Sequence, residues 1–200
     1  MPRPRHEDPK RVLFEERLIG YLDPGAEGYL LPINESGLRT TSSCTGRIAV
    51  VEGKWHWLRD GARIVYKSHR EVEPAVIASI VVRPFENLWF KVTGPILHVR
   101  LPGLDCVHPV LEASRAAGFK HSGVISVKDE IVVELMSAIQ ISTPLKIDGK
   151  IVVDPRSLRE LTAEANEALR SGWARLERLS QLLSRLGCLS TNGRGGDRPQ

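Results

Sequence analysis

The C-terminal third of the chain carries one long helical pattern, and this pattern constrains the fold more than any other segment. Asp154-Pro155 is a typical helix start, because an N-cap residue precedes a proline in the first turn. The stripe fits either a coiled-coil arm or a helix packed on the chain's own sheet, and we favour the packed helix, ending near Gly187. Its apolar or small residues recur at spacings of three and four: Leu158, Leu161, Ala165, Ala168, Gly172, Leu176, Leu179, Leu183 and Leu186.

The residues before this helix alternate between short strand patterns and turns. Runs of strands between helices, without regular β-α-β alternation, predict an α+β fold. We expect a single compact domain over residues 8–188, with a mixed, largely antiparallel sheet packed by helices, a flexible N-terminus at 1–7 and a disordered tail at 189–200. The predicted strands are 47–51, 62–67, 88–92, 96–101, 123–127, 131–136, 140–142 and 150–153, and the predicted shorter helices are 9–22, 72–81 and 109–117.

The composition excludes several classes of protein. Of the 200 residues, 42% are hydrophobic and 26% charged, and no run approaches the roughly 18 apolar residues of a membrane span. The N-terminus lacks the apolar core of a signal peptide, so we expect a cytoplasmic protein with no membrane partner. Three widely spaced cysteines argue against a disulfide framework or a zinc site. A net charge of +4 is compatible with an RNA or phosphate-bearing partner.

Residues 40–47 form a dense polar run, Thr-Thr-Ser-Ser-Cys-Thr-Gly-Arg, directly before the apolar segment 48–51. Serine, threonine and glycine disfavour regular structure unless their side chains find local partners. We therefore interpret 32–47 as a polar loop. It is either an ordinary turn or a cradle in which hydroxyls, backbone amides and the Arg47 guanidinium bind a carboxylate or phosphate.

Four further sites carry polar groups suited to chemistry. His69 follows a strand, and His98 lies inside an apolar one. The segment 118–123, Gly-Phe-Lys-His-Ser-Gly, is a helix cap and turn or an anion contact through Lys120 and Ser122. Ser137 closes a strand.

Standard motifs for nucleotide and ester chemistry are missing from the sequence. It contains no Gly-x-Gly-x-x-Gly turn after a strand, no phosphate-binding P-loop and no Gly-x-Ser-x-Gly elbow. Cys44 paired with His69 or His98 is a possible nucleophile, although spacing alone does not bring them together.

Five blocks occur along the chain in a defined order: Thr41-Ser42-Ser43-Cys44-Thr45-Gly46-Arg47-Ile48, Ser68-His69, Ile96-Leu97-His98-Val99, Gly118-Phe119-Lys120-His121-Ser122-Gly123, and Ser137 followed by Pro144-Leu145. In this order they resemble the wybutosine-synthesising methyltransferases. Those enzymes methylate N-4 of the tricyclic guanosine derivative beside the anticodon of phenylalanine tRNA. The resemblance extends from about residue 14 to 186, and the chain looks like a short archaeal-type member.

The sequence departs from the family pattern at two places. Thr93-Gly94-Pro95 keeps the proline before Leu-His-Val and lacks the acidic residue that often precedes it. Met136-Ser137-Ala138-Ile139 stands where family members carry Arg-Ser-Thr-His. A catalytic role for that histidine or arginine is therefore not available to this chain.

The resemblance implies an S-adenosyl-L-methionine-dependent tRNA N-methyltransferase with an α+β fold distinct from the dinucleotide-binding methyltransferases. It implies tRNA(Phe) as partner. We also expect no metal and a monomer or weak homodimer. We expect His98 or His69 to be the general base or a substrate contact. The expected cofactor-binding residues are Ser42, Ser43, Cys44, Gly46, Arg47, Lys120, Ser122, Gly123 and Ser137.

Two other functions stay open at this point. One is a non-catalytic tRNA-binding module with a basic face, and the other is a hydrolase that uses Cys44. A large flat base would also need an aromatic platform, although most of the candidates are core or cross-strand packing residues as well. These candidates are Trp55, Trp57, Tyr66, Trp89 and Phe90.

Overall fold

The computed structural model describes residues 8–58 and 60–188. The helices are α1 Pro9–Leu18, α2 Glu27–Glu35, α3 Pro74–Val81, α4 Val107–Ala116 and α5 Pro155–Ser184, with a 3₁₀ turn at Leu104–Cys106. The strands are β1 Arg39–Cys44, β2 Arg47–Glu52, β3 Arg63–Ser68, β4 Leu88–Thr93, β5 Ile96–Leu101, β6 Gly123–Ser126, β7 Ile131–Met136, β8 Gln140–Ile147 and β9 Lys150–Ile151. The expected flexible N-terminus and disordered tail lie outside the described residues.

The predicted α+β class with a long C-terminal helix is confirmed, and the strands form two sheets. One sheet has the order β1-β5-β7-β6 and the other the order β3-β2-β4-β8-β9. The pairings β2–β3, β2–β4, β4–β8, β8–β9 and β6–β7 are antiparallel. The chain divides into two compact units, each containing one of these sheets.

The polar loop predicted at 32–47 is wrong. α2 covers its first residues, and most of the hydroxyl run forms strand β1. The Asn34 side chain donates to the Leu30 carbonyl at 2.7 Å and to Thr40 Oγ1 at 2.8 Å, and its own oxygen accepts from the Thr40 N–H. These bonds fix the turn between α2 and β1. Threonines suit a strand because their branched Cβ restricts the side chain to extended backbone.

Two other predicted boundaries shift for local reasons. α1 ends at Leu18 instead of residue 22, because Gly20 adopts a left-handed φ of +74°. β8 continues through Pro144, where the prediction stopped at 142. The pairing of β4 with β8 is irregular between Leu88 and Trp89, beside the position that pairs with Pro144. A proline has no backbone N–H to donate to a neighbouring strand, and it is tolerated at such irregularities.

The first unit comprises, within the described residues, 8–43, 97–136 and 176–188. α4 ends in a Schellman motif: Gly118 has a φ of +92°, the Gly118 N–H donates to the Arg115 carbonyl, and the Phe119 N–H donates to the Ser114 carbonyl. The motif turns the Phe119 ring into the apolar core, where it is fully buried. This confirms the predicted glycine cap.

The second unit comprises residues 44–96 and 137–175. Alternate residues of β2 and β4, among them Ile48, Val50, Phe90 and Val92, pack with α3 and α5 in one apolar cluster. Side chains of a strand alternate between its two faces, so Arg47, Ala49 and Val51 of β2 lie on the opposite face. Their partners across the antiparallel pairing are Thr93, Lys91 and Trp89.

The long C-terminal helix is confirmed as a packed helix. Its Leu158, Ala165 and Leu169 belong to the core of the second unit, and its Leu176, Leu179 and Leu183 to the core of the first. Asp154 caps the helix by accepting from the N–H groups of Arg156 and Ser157 at 2.8 and 3.0 Å. Hydrogen bonds from Ser157 lower the pKa of the Asp154 carboxyl. Among the described residues, none of the helices has the length and apolar character needed to cross a membrane.

Candidate functional site

The residues expected to form the site are shared between the two units. Ser42, Ser43, His98, Lys120, Ser122 and Gly123 belong to the first unit, and Cys44, Gly46, Arg47, His69 and Ser137 belong to the second. Each group is described within its own unit.

In the second unit, His69 contacts both Cys44 and the backbone of Gly46. Its Nδ1 lies 2.9 Å from the Gly46 carbonyl oxygen and 3.8 Å from Cys44 Sγ. A carbonyl oxygen only accepts, so Nδ1 carries the proton and donates it there. The same nitrogen therefore has no lone pair to take the proton of the Cys44 thiol. This geometry disfavours the Cys44 hydrolase, which needs a thiolate generated by a neighbouring base.

Arg47 lies at the start of β2, on the sheet face opposite the apolar core. Lys91 pairs with Ala49, two residues along from Arg47, so the two cations are diagonal neighbours on one face. Burial, followed by repulsion from Arg47, lowers the pKa of Lys91. Two like charges in a half-buried place repel each other, and a bound anion would relieve that repulsion, so this pair is a candidate anion site.

The turn between β4 and β5 packs tightly against Ser137. A Cβ on Gly94 would lie 2.1 Å from Ser137 Oγ, and the Ser137 N–H donates to the Pro95 carbonyl at 3.1 Å. Gly46, with φ +102°, approaches the same turn, since its Cβ would lie 3.2 Å from the Thr93 carbonyl oxygen. Buried Ser137 and the two glycines thus hold backbone segments close together, whatever else they bind.

In the first unit, His98 of β5 pairs with Glu134 of the neighbouring strand β7. His98 Nε2 lies 2.9 Å from Glu134 Oε2, and both side chains are about one-third exposed. A carboxylate accepts the Nε2 proton and so favours the tautomer in which Nδ1 is the proton acceptor. This is the arrangement of a histidine general base positioned by an acid.

The 118–123 segment has an evident structural role. Ser122 Oγ donates to the Phe119 carbonyl at 2.8 Å and accepts from the Met136 N–H at 3.2 Å, so the hydroxyl joins the turn to β7. Lys120 is exposed, and the position of a Cβ on Gly123 is open space. In β1, Ser42 is exposed and Ser43 half-buried.

Sequence reasoning missed two partners, Lys91 and Glu134. Lys91 lies two residues from Trp89 in strand 88–93, so the sequence alone places both side chains on one face of the sheet. Its closeness to Arg47, however, depends on the β2–β4 register. Glu134 alternates with buried Val133 and Leu135, but its pairing with His98 depends on β5 and β7 being neighbours. Neither arrangement is a local property of the sequence.

The fold and these groups define a class: an α+β protein with a candidate anion site, Arg47 and Lys91, on one sheet and an imidazole paired with a carboxylate on the other. The family model described as Methyltransferase TYW3 matches residues 10–185. The chain therefore belongs to the methyltransferase TYW3 family, which is the family that the sequence resemblance predicted.

Curated relatives agree with this membership. The chain is 50% identical over 163 residues to the tRNA(Phe) 7-((3-amino-3-carboxypropyl)-4-demethylwyosine(37)-N(4))-methyltransferase of Aeropyrum pernix, covering 80% of this chain and 87% of that protein. The enzyme with the same description from Saccharolobus solfataricus is 31% identical over 176 residues, covering 86% and 84%.

Solved structures share the fold. A hypothetical protein from Aeropyrum pernix superposes with a TM-score of 0.77 at 42% identity, over 83% of this chain and all of that one. The PH1069 protein from Pyrococcus horikoshii gives a TM-score of 0.80 at 30% identity, over 87% and 91%. Both likenesses cover both units of the described chain.

Proposed function

We propose that this protein transfers a methyl group from S-adenosyl-L-methionine to N-4 of a wyosine precursor, at the guanosine beside the anticodon of tRNA(Phe). The observation that carries the proposal is the 50% identity to a methyltransferase of that description over 80% of the chain. On this proposal the protein acts in the cytoplasm, with tRNA(Phe) as its partner and as a monomer or weak homodimer.

The donor set of the second unit fits S-adenosyl-L-methionine, whose amino-acid end carries a carboxylate. Arg47 offers a guanidinium fork. Lys91 adds a second cation, whose pKa is lowered by burial and then by the charge of Arg47. The bound donor supplies an electrophilic methyl group on a sulfonium. Arg47 and Lys91 bind an anionic group, a carboxylate of the donor or a phosphate of the tRNA, and fix its position.

We assign the proton-transfer role to His98. An acceptor nitrogen that gains a methyl group has to lose a proton, and a positioned histidine base typically accelerates such a step by about 10²–10⁴-fold. Glu134 holds Nε2, so His98 takes the proton at Nδ1. Alignment of the reacting atoms contributes more, since orientation can lower a barrier by about 7–11 kcal/mol.

The remaining expected residues have supporting roles in this proposal. Ser42, Ser43, Lys120 and Gly123 provide polar or open surface for ligand contact in the first unit. Cys44, Gly46, His69 and Ser137 shape the backbone of the second unit, and Ser122 shapes that of the first, through the contacts described above.

The proposal is tested by incubating the protein with methyl-labelled S-adenosyl-L-methionine and tRNA(Phe) carrying the demethylated precursor. Label in the tricyclic base supports the proposal. Binding of tRNA without label, and without any binding of the methyl donor, would instead identify a non-catalytic tRNA-binding module. Arg47→Ala should weaken binding of the donor or of the tRNA, measured separately by calorimetry, whereas exposed Arg178→Ala serves as the matched control.

A further inference from the structure

A cluster of aromatic rings lies on the second unit, and it contains three of the aromatic-platform candidates that the sequence suggested. Trp55 and Trp57 have ring centroids 4.9 Å apart with a 31° interplanar angle. His56 lies edge-on to Trp57 at 5.0 Å and 4.6 Å from Trp89, and Trp57 meets Trp89 at 6.2 Å. We call Trp55, His56, Trp57 and Trp89 the tryptophan cluster. It contains three of the four tryptophans of the chain.

The cluster is not an ordinary part of the core. Trp55 and Trp57 are 43% and 61% exposed, and neither belongs to the buried apolar group of this unit. They lie in the 53–62 connection between β2 and β3, which exceeds the usual hairpin loop of about 2–5 residues. Long loops with large exposed aromatic side chains commonly serve binding.

The rings are held in place by the sheet. Trp89 of β4 donates its indole N–H to the Gly53 carbonyl at 3.0 Å, which fixes the ring against the loop. Burial, followed by the charge of Lys91, lowers the pKa of His56. The lowered pKa favours the neutral imidazole, which adds a further flat ring to the cluster.

Two lysines adjoin the cluster and indicate that its ligand carries negative charge. Exposed Lys54 precedes Trp55, and Lys91 lies two residues beyond Trp89 on the same face of the sheet. The nearest acid along the strand, Glu52, is paired with Arg63. Aromatic rings with adjacent cations match a nucleic-acid strand, whose bases stack and whose phosphates are anionic.

The geometry points to the tryptophan cluster as a stacking site for an unpaired base of single-stranded RNA, with Lys54 and Lys91 contacting the adjoining phosphates. This inference rests on the proposed function, because a tRNA loop supplies such bases. The exposed faces of Trp55 and Trp57 receive the base, and Trp89 and His56 support them from the sheet.

The test measures binding of a short oligoadenylate RNA through quenching of tryptophan fluorescence. All measurements use a Trp173→Phe background, because Trp173 is the one tryptophan outside the cluster. Trp57→Ala should weaken RNA binding about tenfold or more, the loss of one base stack. Trp57→Phe should stay within about threefold of the parent, and Tyr21→Ala, which removes an exposed aromatic of the first unit, should leave the affinity unchanged.

Three results would overturn the inference: an unchanged affinity in the Trp55→Ala, Trp57→Ala double variant, an equal loss in Tyr21→Ala, or self-association that disappears with Trp57→Ala in sedimentation. Circular dichroism checks that each variant is folded. Methyl transfer to tRNA(Phe) is measured in parallel. RNA binding that depends on the tryptophans, without methyl transfer, would contradict the proposed function and support the stacking site. Methyl transfer together with RNA binding that does not depend on the tryptophans would support the proposed function and contradict the stacking site.

Discussion

Lys91 and Arg47 show how one pair of side chains links stability to binding. Their closeness is unfavourable to the folded protein, because burial and the Arg47 charge lower the pKa of Lys91. The unfolded chain therefore binds the Lys91 proton more tightly than the folded chain does. By linkage, stability increases as the pH rises from the folded pKa of Lys91 towards 10.5, where the unfavourable charge is lost.

Replacing Lys91 with methionine should consequently raise the melting temperature at pH 7, by at most about 3 °C, since the change removes a charge and keeps most of the apolar stem. The same variant should bind tRNA or the methyl donor more weakly. Differential scanning calorimetry at pH 7 and near pH 10.5 tests this, because the difference from the parent should shrink at the higher pH. A variant that is less stable at pH 7 and equally strong in binding would contradict the account.

His98 and Glu134 form the second pair with a defined role. His98→Gln should lower kcat by about 10²–10⁴-fold and leave donor affinity nearly unchanged, because it removes the base but not an anion contact. Glu134→Gln keeps a hydrogen-bond acceptor and should lower kcat less. Single-turnover methyl transfer combined with donor titration separates the two effects. An equal loss of donor affinity and turnover in His98→Gln would show that His98 has a binding or folding role instead.

Cys44 and Cys106 differ in expected reactivity. Burial, followed by the neighbouring Cys188, raises the pKa of the Cys106 thiol to about 12. The folded protein should therefore react with iodoacetamide at half-buried Cys44 and leave Cys106 unmodified until it unfolds. Peptide mass spectrometry after native and denatured labelling measures this. Full methyl transfer by Cys44→Ser would exclude a nucleophilic role for the thiol.

Two glycines, one in the β4–β5 turn and one in α5, leave no room for a side chain. A Cβ on Gly172 of α5 would lie 2.9 Å from Pro95 Cδ, and one on Gly94 would lie 2.1 Å from Ser137 Oγ. Gly172→Ala and Gly94→Ala should each destabilise the protein by about 1–3 kcal/mol through overpacking. Gly28→Ala is the matched control, since its Cβ meets nothing and alanine favours the helix. Urea denaturation measures the free energy of unfolding of all three variants. An unchanged free energy in Gly94→Ala would show that the packing around Gly94 is looser than described.

The helices and strands differ in how far the sequence alone predicts them. The spacing between Leu158 and Leu186 is a local signal, so α5 was predicted as a packed helix, and the glycine after α4 gave its cap. The run at 40–44 was mistaken for a loop because its strand conformation depends on pairing with β5, which is distant in sequence. The same distinction applies to the candidate site. Arg47 and His98 could be recognised from the sequence, whereas the roles of Lys91 and Glu134 depend on which strands are neighbours and in which register.

Whether both units unfold together is a property of the whole chain, and the packing of α5 predicts that they do. One helix supplies leucines to both apolar cores, so losing it removes packing from each. All four tryptophans lie in the second unit, and fluorescence therefore reports on that unit alone. The sequence predicted a single domain over residues 8–188, and for such a domain we expect a single cooperative transition.

Leu179→Ala tests this expectation, because Leu179 is fully buried in the first unit. The substitution should cost about 2–5 kcal/mol. For a single cooperative domain, the midpoint seen by tryptophan fluorescence should fall by the same amount as that seen by circular dichroism. A fluorescence midpoint that stays at the parent value would show that the units unfold independently. Leu169→Ala, in the core of the second unit, is the positive control for fluorescence.

The most direct measurement of the central claim is mass spectrometry of nucleosides from tRNA(Phe) treated with the protein and S-adenosyl-L-methionine. The account predicts that the tricyclic nucleoside beside the anticodon gains one methyl group, located at N-4 by fragmentation, and that His98→Gln protein yields little of it in the same time. An unmodified tricyclic nucleoside, or a methyl group on a different atom, would contradict it.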